Sequence, residues 1–586
     1  MTRHAYETRF GATLVAPDRT RFRLWAPSQE APQVQIEGRA AIAMEKEPDG
    51  WFSAEVACGA GTAYRYRLDD GLLVPDPASR AQRDDVHDPS LVVDPRAYEW
   101  RNAQWMGRPI EELVVYECHV GLMGGFAGVE AKLADLAKVG ITAIELMPIA
   151  AFPGARNWGY DGVLPYAPDA AYGTPEDLKR LVDAAHGHGL QVILDVVYNH
   201  FGPEGNYLHA YAEPFFRNDI HTPWGAAIDF RRRQVRTFFA DNVLMWLMEY
   251  RLDGLRFDAV HAIPEPDWID ETASAVRAAI EPGRHVHLIL ENEENEPGFL
   301  ERDVDAQWND DVHHCLHVML TGEHHGYYGN FSREPAKKLA RACMEGFVYQ
   351  GEPPERGKGS ARGKPSAHLP PTAFVTCLQN HDQVGNRAMG ERLRAMAPAA
   401  ALDAATAFQL LMPQIPMIFM GEETGSTTPF LFFTDFHDAL ADAVREGRRR
   451  EFADFPEFRD EKAREKIPDP NAPETFARSR PKIAGEGGEA SVIDLYARCL
   501  HLRHEAIVPR LKGTKGEAAQ VLGDKALLAR WRLGDGTLLA IATNLADDAV
   551  ALPADAPRSP PSLVVGAQPT SGTLPARTTL VFIEES

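Results

Sequence analysis

Three acidic side chains end short apolar runs: Asp258 in GLRFDAVH, Glu291 in HLILENEEN and Asp382 in FVTCLQNHDQVGN. Each run reads as a strand, and each acid opens the polar segment that follows. In a barrel of parallel strands, catalytic groups sit at the C-terminal strand ends. Two carboxyl groups flanking a glycosidic bond can cleave it, one of them as proton donor. Asp258 has the setting of the nucleophile. Arg256 stands two residues before it, so strand alternation puts guanidinium and carboxylate on one side. There the cation would keep the aspartate ionised and aimed. Glu291 has the setting of the acid/base. It follows Leu288, Ile289 and Leu290, and a dry environment raises a carboxyl pKa as a proton donor near neutral pH requires.

His200 and His381 end strand-like runs of their own and could donate to sugar hydroxyls, while Asp382 could accept from two. Tyr160, in NWGYDG, offers a flat face for a pyranose ring. Alone, RFDA or LILEN would read as a strand end with a surface carboxylate, and a lone histidine as structural. The conjunction of five polar strand ends in order on an eight-strand pattern favours function. Trp224 in HTPWG reads equally as a sugar platform or as loop packing. HHCLH (His313, His314, His317) has spacing that suits a metal, but a helical face is the better reading. KGSARGKP has three residues between Gly359 and Gly363 and Pro365 in place of Ser/Thr. It lacks the phosphate-loop pattern and reads as a solvated loop. No GxSxG nucleophile elbow is present.

The elements that must position these groups follow a βα grammar from Val114 onward. Val114–Val120 and Ile141–Met147 read as strands, with a helix between them that stops at Gly140. Thr174-Pro175-Glu176-Asp177 reads as a helix start, with an N-cap, proline in the first turn and an acid three residues on. Eight strand candidates result: ECHVG, ELMPI, LDVVYNH, RFDAVH, LILENEE, QWNDD, CLQNHD and FMGEE. That is the number a closed (β/α)8 barrel needs, and the runs are apolar enough for burial on both faces. Polar inserts near 200–235 and 320–370 are expected to build the active-site face. Before residue 100, RFRLWAP, QVQIEG, WFSAEV and AYRYRL alternate like β strands; so do ALLARWRL, TLLAIATNL and TTLVFIEE near the C-terminus.

The chain of 586 residues is long enough for more than one domain. Its net charge of −23 makes it a poor candidate for nucleic-acid binding, with basic clusters only at 231–233, 448–450 and 356–364. The longest apolar stretches, NVLMWLM and IPMIFM, fall short of a membrane span, and MTRHAYETRF has no signal-peptide pattern. Six scattered cysteines without a CxxC suggest free thiols in a reduced, cytoplasmic protein.

The ordered motifs DVVYNH, GLRFDAVH, the glutamate of LILENE, and QNHD resemble the four signature regions of glycoside hydrolase family 13, the α-amylase family. The resemblance covers essentially the whole chain. It implies an N-terminal β-sandwich at 1–100, a catalytic barrel at 101–507 and a C-terminal β domain at 508–586. It implies Asp258 as nucleophile, Glu291 as acid/base and Asp382 as transition-state stabiliser, with retention of configuration. It places Tyr160, His200, Arg256 and His381 around the sugar being cleaved. His261, Asn292, Glu293 and Trp224 are further candidates for substrate contact. YNHFGPEGNYL, AIDF, QWNDDVHHCLHV, QNHDQVGNRAMGERL and GEETGSTTPFLFFTDF are similar to segments of family members that act on maltooligosyl trehalose. Related α-glucans are then the expected substrate class. A glucan branching enzyme and a non-catalytic glucan-binding protein are the rivals; the FGPEGNYL…PWG insert disfavours the first and the intact acid set the second. Asn199 matches a position that binds structural calcium in many α-amylases. The chain continues HFGPEGN without other calcium-ligand segments, so no metal and no cofactor is expected.

Overall fold

The computed structural model describes residues 4–222, 224–355, 361–453, 455–570 and 572–585. Residues 356–360, five of the nine residues of the basic stretch and the first part of KGSARGKP, lie outside the described residues.

The eight expected strands form one closed parallel barrel: β1 (Val115–Cys118), β2 (Ala143–Leu146), β3 (Gln191–Val196), β4 (Gly254–Phe257), β5 (His287–Leu290), β6 (Ala306–Trp308), β7 (Phe374–Cys377) and β8 (Ile415–Phe419). β1 pairs with both β2 and β8, which closes the ring. Every residue of these strands is buried, as the apolar runs required. Val115, Ala143, Ile193, Ile289, Val375 and Met417 belong to one apolar cluster of barrel side chains. Two residues further along their strands stand Glu117, Glu145 and Asp195. Side chains alternate with period two, so a layer of acidic side chains sits directly above the apolar floor. The strands are shorter than the sequence runs. β1 ends at Cys118 because His119 Nδ1 accepts the Leu122 N–H at 3.0 Å and starts a helical turn.

The outer helices include α1 (Leu133–Val139), α2 (Pro175–Gly187), α3 (Arg233–Met248), α4 (Asp267–Ala279), α5 (Asp310–Thr321), α6 (Pro335–Glu345) and α7 (Ala399–Leu411). Gly140 ends α1 at φ 112°, a conformation open to glycine at little cost. Thr174 and Asp177 form the expected reciprocal capping box on α2.

The N-terminal strands form two antiparallel sheets, and a five-stranded antiparallel sheet covers the C-terminal region. Two of its strands, Lys515–Gly523 and Leu563–Val565, escaped the sequence reading. Lys515–Gly523 is mostly polar or small and has no buried residue; backbone pairing to Ala526–Arg532 makes it a strand. A buried charge knot joins the N-terminal region to the barrel: Glu249 takes Arg80 on one oxygen and Lys179 Nζ, at 3.1 Å, on the other.

The first insert folds as a short helix, Leu208–Tyr211, and a hairpin of Phe216–Thr222 with Gly225–Ile228. The second divides its work, a correction to the expectation. Gly326–Asn330 lines a cleft together with Glu291 and Asp382, but α6 buttresses the C-terminal sheet, where Trp531 Nε1–H donates to the Cys343 carbonyl at 3.1 Å. The reason lies in α6 itself, whose Ala336, Leu339, Ala340 and Cys343 bury one helical face. A third insert, between β8 and α9 (Ala490–Leu502), carries the helix Asp438–Glu451, here α8 by position in the chain. All six cysteines are buried and unbridged. No helix among the described residues is long and apolar enough to cross a membrane.

Candidate active site

Arg256, on β4, is the hub. Its Nη1 donates to Asp195 (2.9 and 2.7 Å to the two oxygens) and to Asp258 Oδ1 at 2.8 Å. Its Nη2 lies 3.6 Å from Glu291 Oε2, and its guanidinium stacks 4.0 Å from the Trp308 ring centroid. The side chain is completely buried, so the paired carboxylates and the indole face replace water around it. Asp258 follows β4 directly. Its second oxygen accepts from Asn199 Nδ2 at 2.9 Å. Two donors therefore fix the carboxylate orientation, while its side chain remains partly open to solvent.

Glu291 follows β5. Its Oε2 accepts the Ala259 N–H at 2.5 Å. Ala259 adopts a left-handed conformation, φ 40° and ψ 50°. That is costly for a residue with a Cβ, and it turns the chain after Asp258 toward β5. Burial pushes the Glu291 carboxyl up to about 8; Arg256 opposes this, and the nearby Asp258, Asp310 and Asp382 add to it. Two carboxyl groups on adjacent strands thus have different settings: one bonded directly to a cation, the other desolvated.

Asp382 lies five residues past β7, in the first turn of the short helix His381–Gly385. It is the most exposed of the three acids. His381 Nδ1 meets Glu117 Oε1 at 2.6 Å, and its Nε2 lies 3.4 Å from Asp382 Oδ1. Tyr160 stacks on the imidazole with centroids 5.0 Å apart, and its hydroxyl donates to Asp195 Oδ2 at 2.5 Å. One ring face of Tyr160 is therefore spent on His381, and only the other can meet a sugar.

The structure places the five other candidates, His200, Trp224, Asn292, His261 and Glu293, each in its own setting. Both nitrogens of His200 face protein acceptors, Nε2 the Tyr160 carbonyl at 3.0 Å and Nδ1 the Asn199 side-chain oxygen. His200 thus orients Asn199, which in turn holds Asp258. Trp224 stacks on His200 at 4.4 Å and 12° and is half exposed, so packing and platform readings both describe it. Asn292 is buried, and its Oδ1 accepts the Glu294 N–H at 3.0 Å; its side chain shapes its own turn. His261 lies 3.7 Å from Glu293, which is exposed.

From Glu291, Asp310 and Asp382 a cleft of about 1130 Å³ opens outward. Its walls include Tyr327, Phe455 and Phe458, with Glu323 and Arg387 between them. Arg387 forks onto both Glu323 oxygens at 2.8 and 3.0 Å and so ties the β7 loop to the second insert. A second cavity of about 1160 Å³ opens at the opposite end of the barrel, around Thr142, Gly189 and His287, and contains none of these residues.

Glu117, Asp195, Trp308 and Asp310 were missed by the sequence reading. A signal existed for the first two: a charged residue inside an apolar strand run, on the inward-facing period. HHCLH lies on buried α5, with His313 against the Leu378 carbonyl and His317 2.8 Å from Glu323. Among the described residues, no group of three or more His, Cys, Asp or Glu side chains could hold a metal ion.

Comparison with known proteins gives this geometry a family. Residues 94–221 match the alpha amylase catalytic domain, and residues 515–581 match a domain of unknown function, DUF3459. The malto-oligosyltrehalose trehalohydrolase of Deinococcus radiodurans is 40% identical over 561 residues, 92% of this chain and 91% of that protein. A crystal structure of an α-amylase candidate from Salmonella typhimurium superposes with a TM-score of 0.93 at 44% identity, covering 99% of this chain and 100% of that one. The 1,4-alpha-glucan branching enzyme of Jannaschia sp. is 33% identical, but over only 43% of this chain and 41% of its own. The chain belongs to the malto-oligosyltrehalose trehalohydrolases of glycoside hydrolase family 13, the α-amylase family.

Proposed function

We propose that this enzyme hydrolyses the α-1,4-glucosidic bond next to the terminal α,α-trehalose unit of maltooligosyl trehalose, releasing trehalose with retention of configuration. In this reading Asp258 attacks the anomeric carbon while Glu291 protonates the departing oxygen. Glu291 then takes a proton from water, and that water releases the sugar from Asp258. Asp382 accepts hydrogen bonds from hydroxyls of the distorted sugar. Arg256 keeps Asp258 charged and aimed, and burial keeps Glu291 protonated near neutral pH. The open face of Tyr160 borders the ring under attack. The cleft beyond Glu291 takes the leaving group, with Glu293 and His261 at its edge. Other α-glucans are secondary substrates, and the setting is the cytoplasm.

The single observation that carries the trehalose assignment is the match to a trehalohydrolase across nine-tenths of both chains. The test is incubation with maltotriosyltrehalose and product analysis. Trehalose plus maltotriose is the expected outcome. New α-1,6 branches on amylose, or no turnover of either substrate, would overturn the reading.

A further inference from the structure

We propose that Glu117 is a positioning residue that holds His381 doubly protonated, so that a fixed cation faces the sugar beside Asp382. The inference rests on the active-site reading above for its consequence, but not for its geometry. Glu117 lies on β1 and His381 in the loop after β7, yet one carboxylate grips the histidine twice. Its Oε2 accepts the His381 backbone N–H at 2.9 Å, and its Oε1 accepts Nδ1–H at 2.6 Å. Nδ1 therefore carries a proton. Nε2, at the other end of the ring, faces a second carboxylate, Asp382 Oδ1 at 3.4 Å. An imidazole with a carboxylate acceptor at each nitrogen is best served by protons on both.

The surroundings agree. Tyr160 covers one ring face, and Trp158 and Trp308 approach at 5.8 and 6.2 Å. Among the described residues, no basic side chain bonds to the ring. The titratable and charged groups that face it are Glu117 from β1, His119 just after β1, Asp382 from its own loop, and Arg256 from β4, with Glu145 on β2 and Asp195 on β3 in the same layer; burial lowers His119 to about 4. Burial disfavours the imidazolium, and Arg256 does so too, but Asp382 and Glu117 outweigh them and push His381 up to about 9. Glu145, the strand neighbour of Glu117, is pushed well above the carboxylate range by burial and by Glu117. That shift disfavours a second anion next to Glu117.

The consequence is a charge-assisted donor at the sugar, roughly twice as strong as a neutral one. Glu117→Gln separates charge from position. The amide oxygen can still accept the backbone N–H, and the amide N–H then favours the tautomer with the proton on Nε2. A neutral donor remains, and only the charge is lost. We expect kcat/KM at pH 7.5 to fall about tenfold to a hundredfold, with recovery at lower pH as the ring regains its proton. In a Glu291→Gln background, which cannot turn over, the pH dependence of maltotriosyltrehalose Kd isolates His381. Its inflection near 9 should drop by at least about one pH unit when Glu117→Gln is added. An unchanged inflection would overturn the proposal. If the Glu117 variant fails to fold, ¹³C-histidine NMR of the intact protein, assigned with His381→Asn, decides the same point. An imidazolium at pH 7.5 supports the proposal and a neutral ring sinks it. That spectrum needs no substrate, so a failure of the trehalose reading would leave it informative.

Discussion

Arg256 on β4 and Asp258, the residue that follows the strand, lie two residues apart, with Nη1 2.8 Å from Oδ1. The same nitrogen carries Asp195, so one buried guanidinium neutralises a structural carboxylate below and a candidate nucleophile above. This sharing couples stability to chemistry at a single residue.

Arg256→Met should therefore cost about 3–5 kcal/mol in urea unfolding, the usual penalty for orphaning a buried charge, and abolish measurable hydrolysis. Adding Asp195→Asn should restore most of the stability and none of the activity. Recovery of activity in the double variant would show that the cation is not needed at Asp258.

The two carboxyl roles separate by leaving group. Glu291→Gln should slow maltotriosyltrehalose hydrolysis by about 10²–10⁴, the usual worth of a general acid, yet release fluoride rapidly from α-maltosyl fluoride, which needs no proton. Asp258→Ala should lose both reactions. Equal losses for the two variants on both substrates would refute the assignment.

A proton donor works while protonated, so kcat/KM should hold below the Glu291 pKa of about 8 and fall above it. Stability follows the same proton. The folded pKa is raised above the unfolded one, so the folded state binds the extra proton and loses stability as pH climbs from the ordinary glutamate value toward 8. Glu291→Gln removes that dependence. Its Tm should exceed the wild-type Tm by more at pH 9 than at pH 5, as thermal scans at the two pH values would reveal.

Gly385 ends the short helix that carries Asp382, and a Cβ there would come within 2.1 Å of the Trp158 ring. Gly385→Ala should cost about 1–3 kcal/mol by overpacking. It should also lower kcat by shifting the loop of Asp382 and His381, since Trp158 packs against His381. Unchanged unfolding and kinetics would mean that this loop yields freely.

Much of this was legible in one dimension. A strand buried on both faces is mostly apolar, so eight runs announced the barrel and their polar ends announced Asp258, Glu291 and Asp382. Thr174 and Gly140 announced helix ends because capping is local. Lys515–Gly523 carried no such pattern, since its strand state rests on backbone pairing to a neighbour.

The sequence by itself determined the βα order, the family motifs and the pairing of Arg256 with Asp258, because each depends on residues near one another in the chain. Only the tertiary structure decided that Glu117 grips His381, that His200 orients Asn199 and Asn199 bonds Asp258, and that α6 turns away from the cleft. Those contacts join strands and loops up to 264 residues apart. Closure of the barrel, and not any local propensity, brings their side chains into one low-dielectric space. There each charge must find a partner or give up its proton.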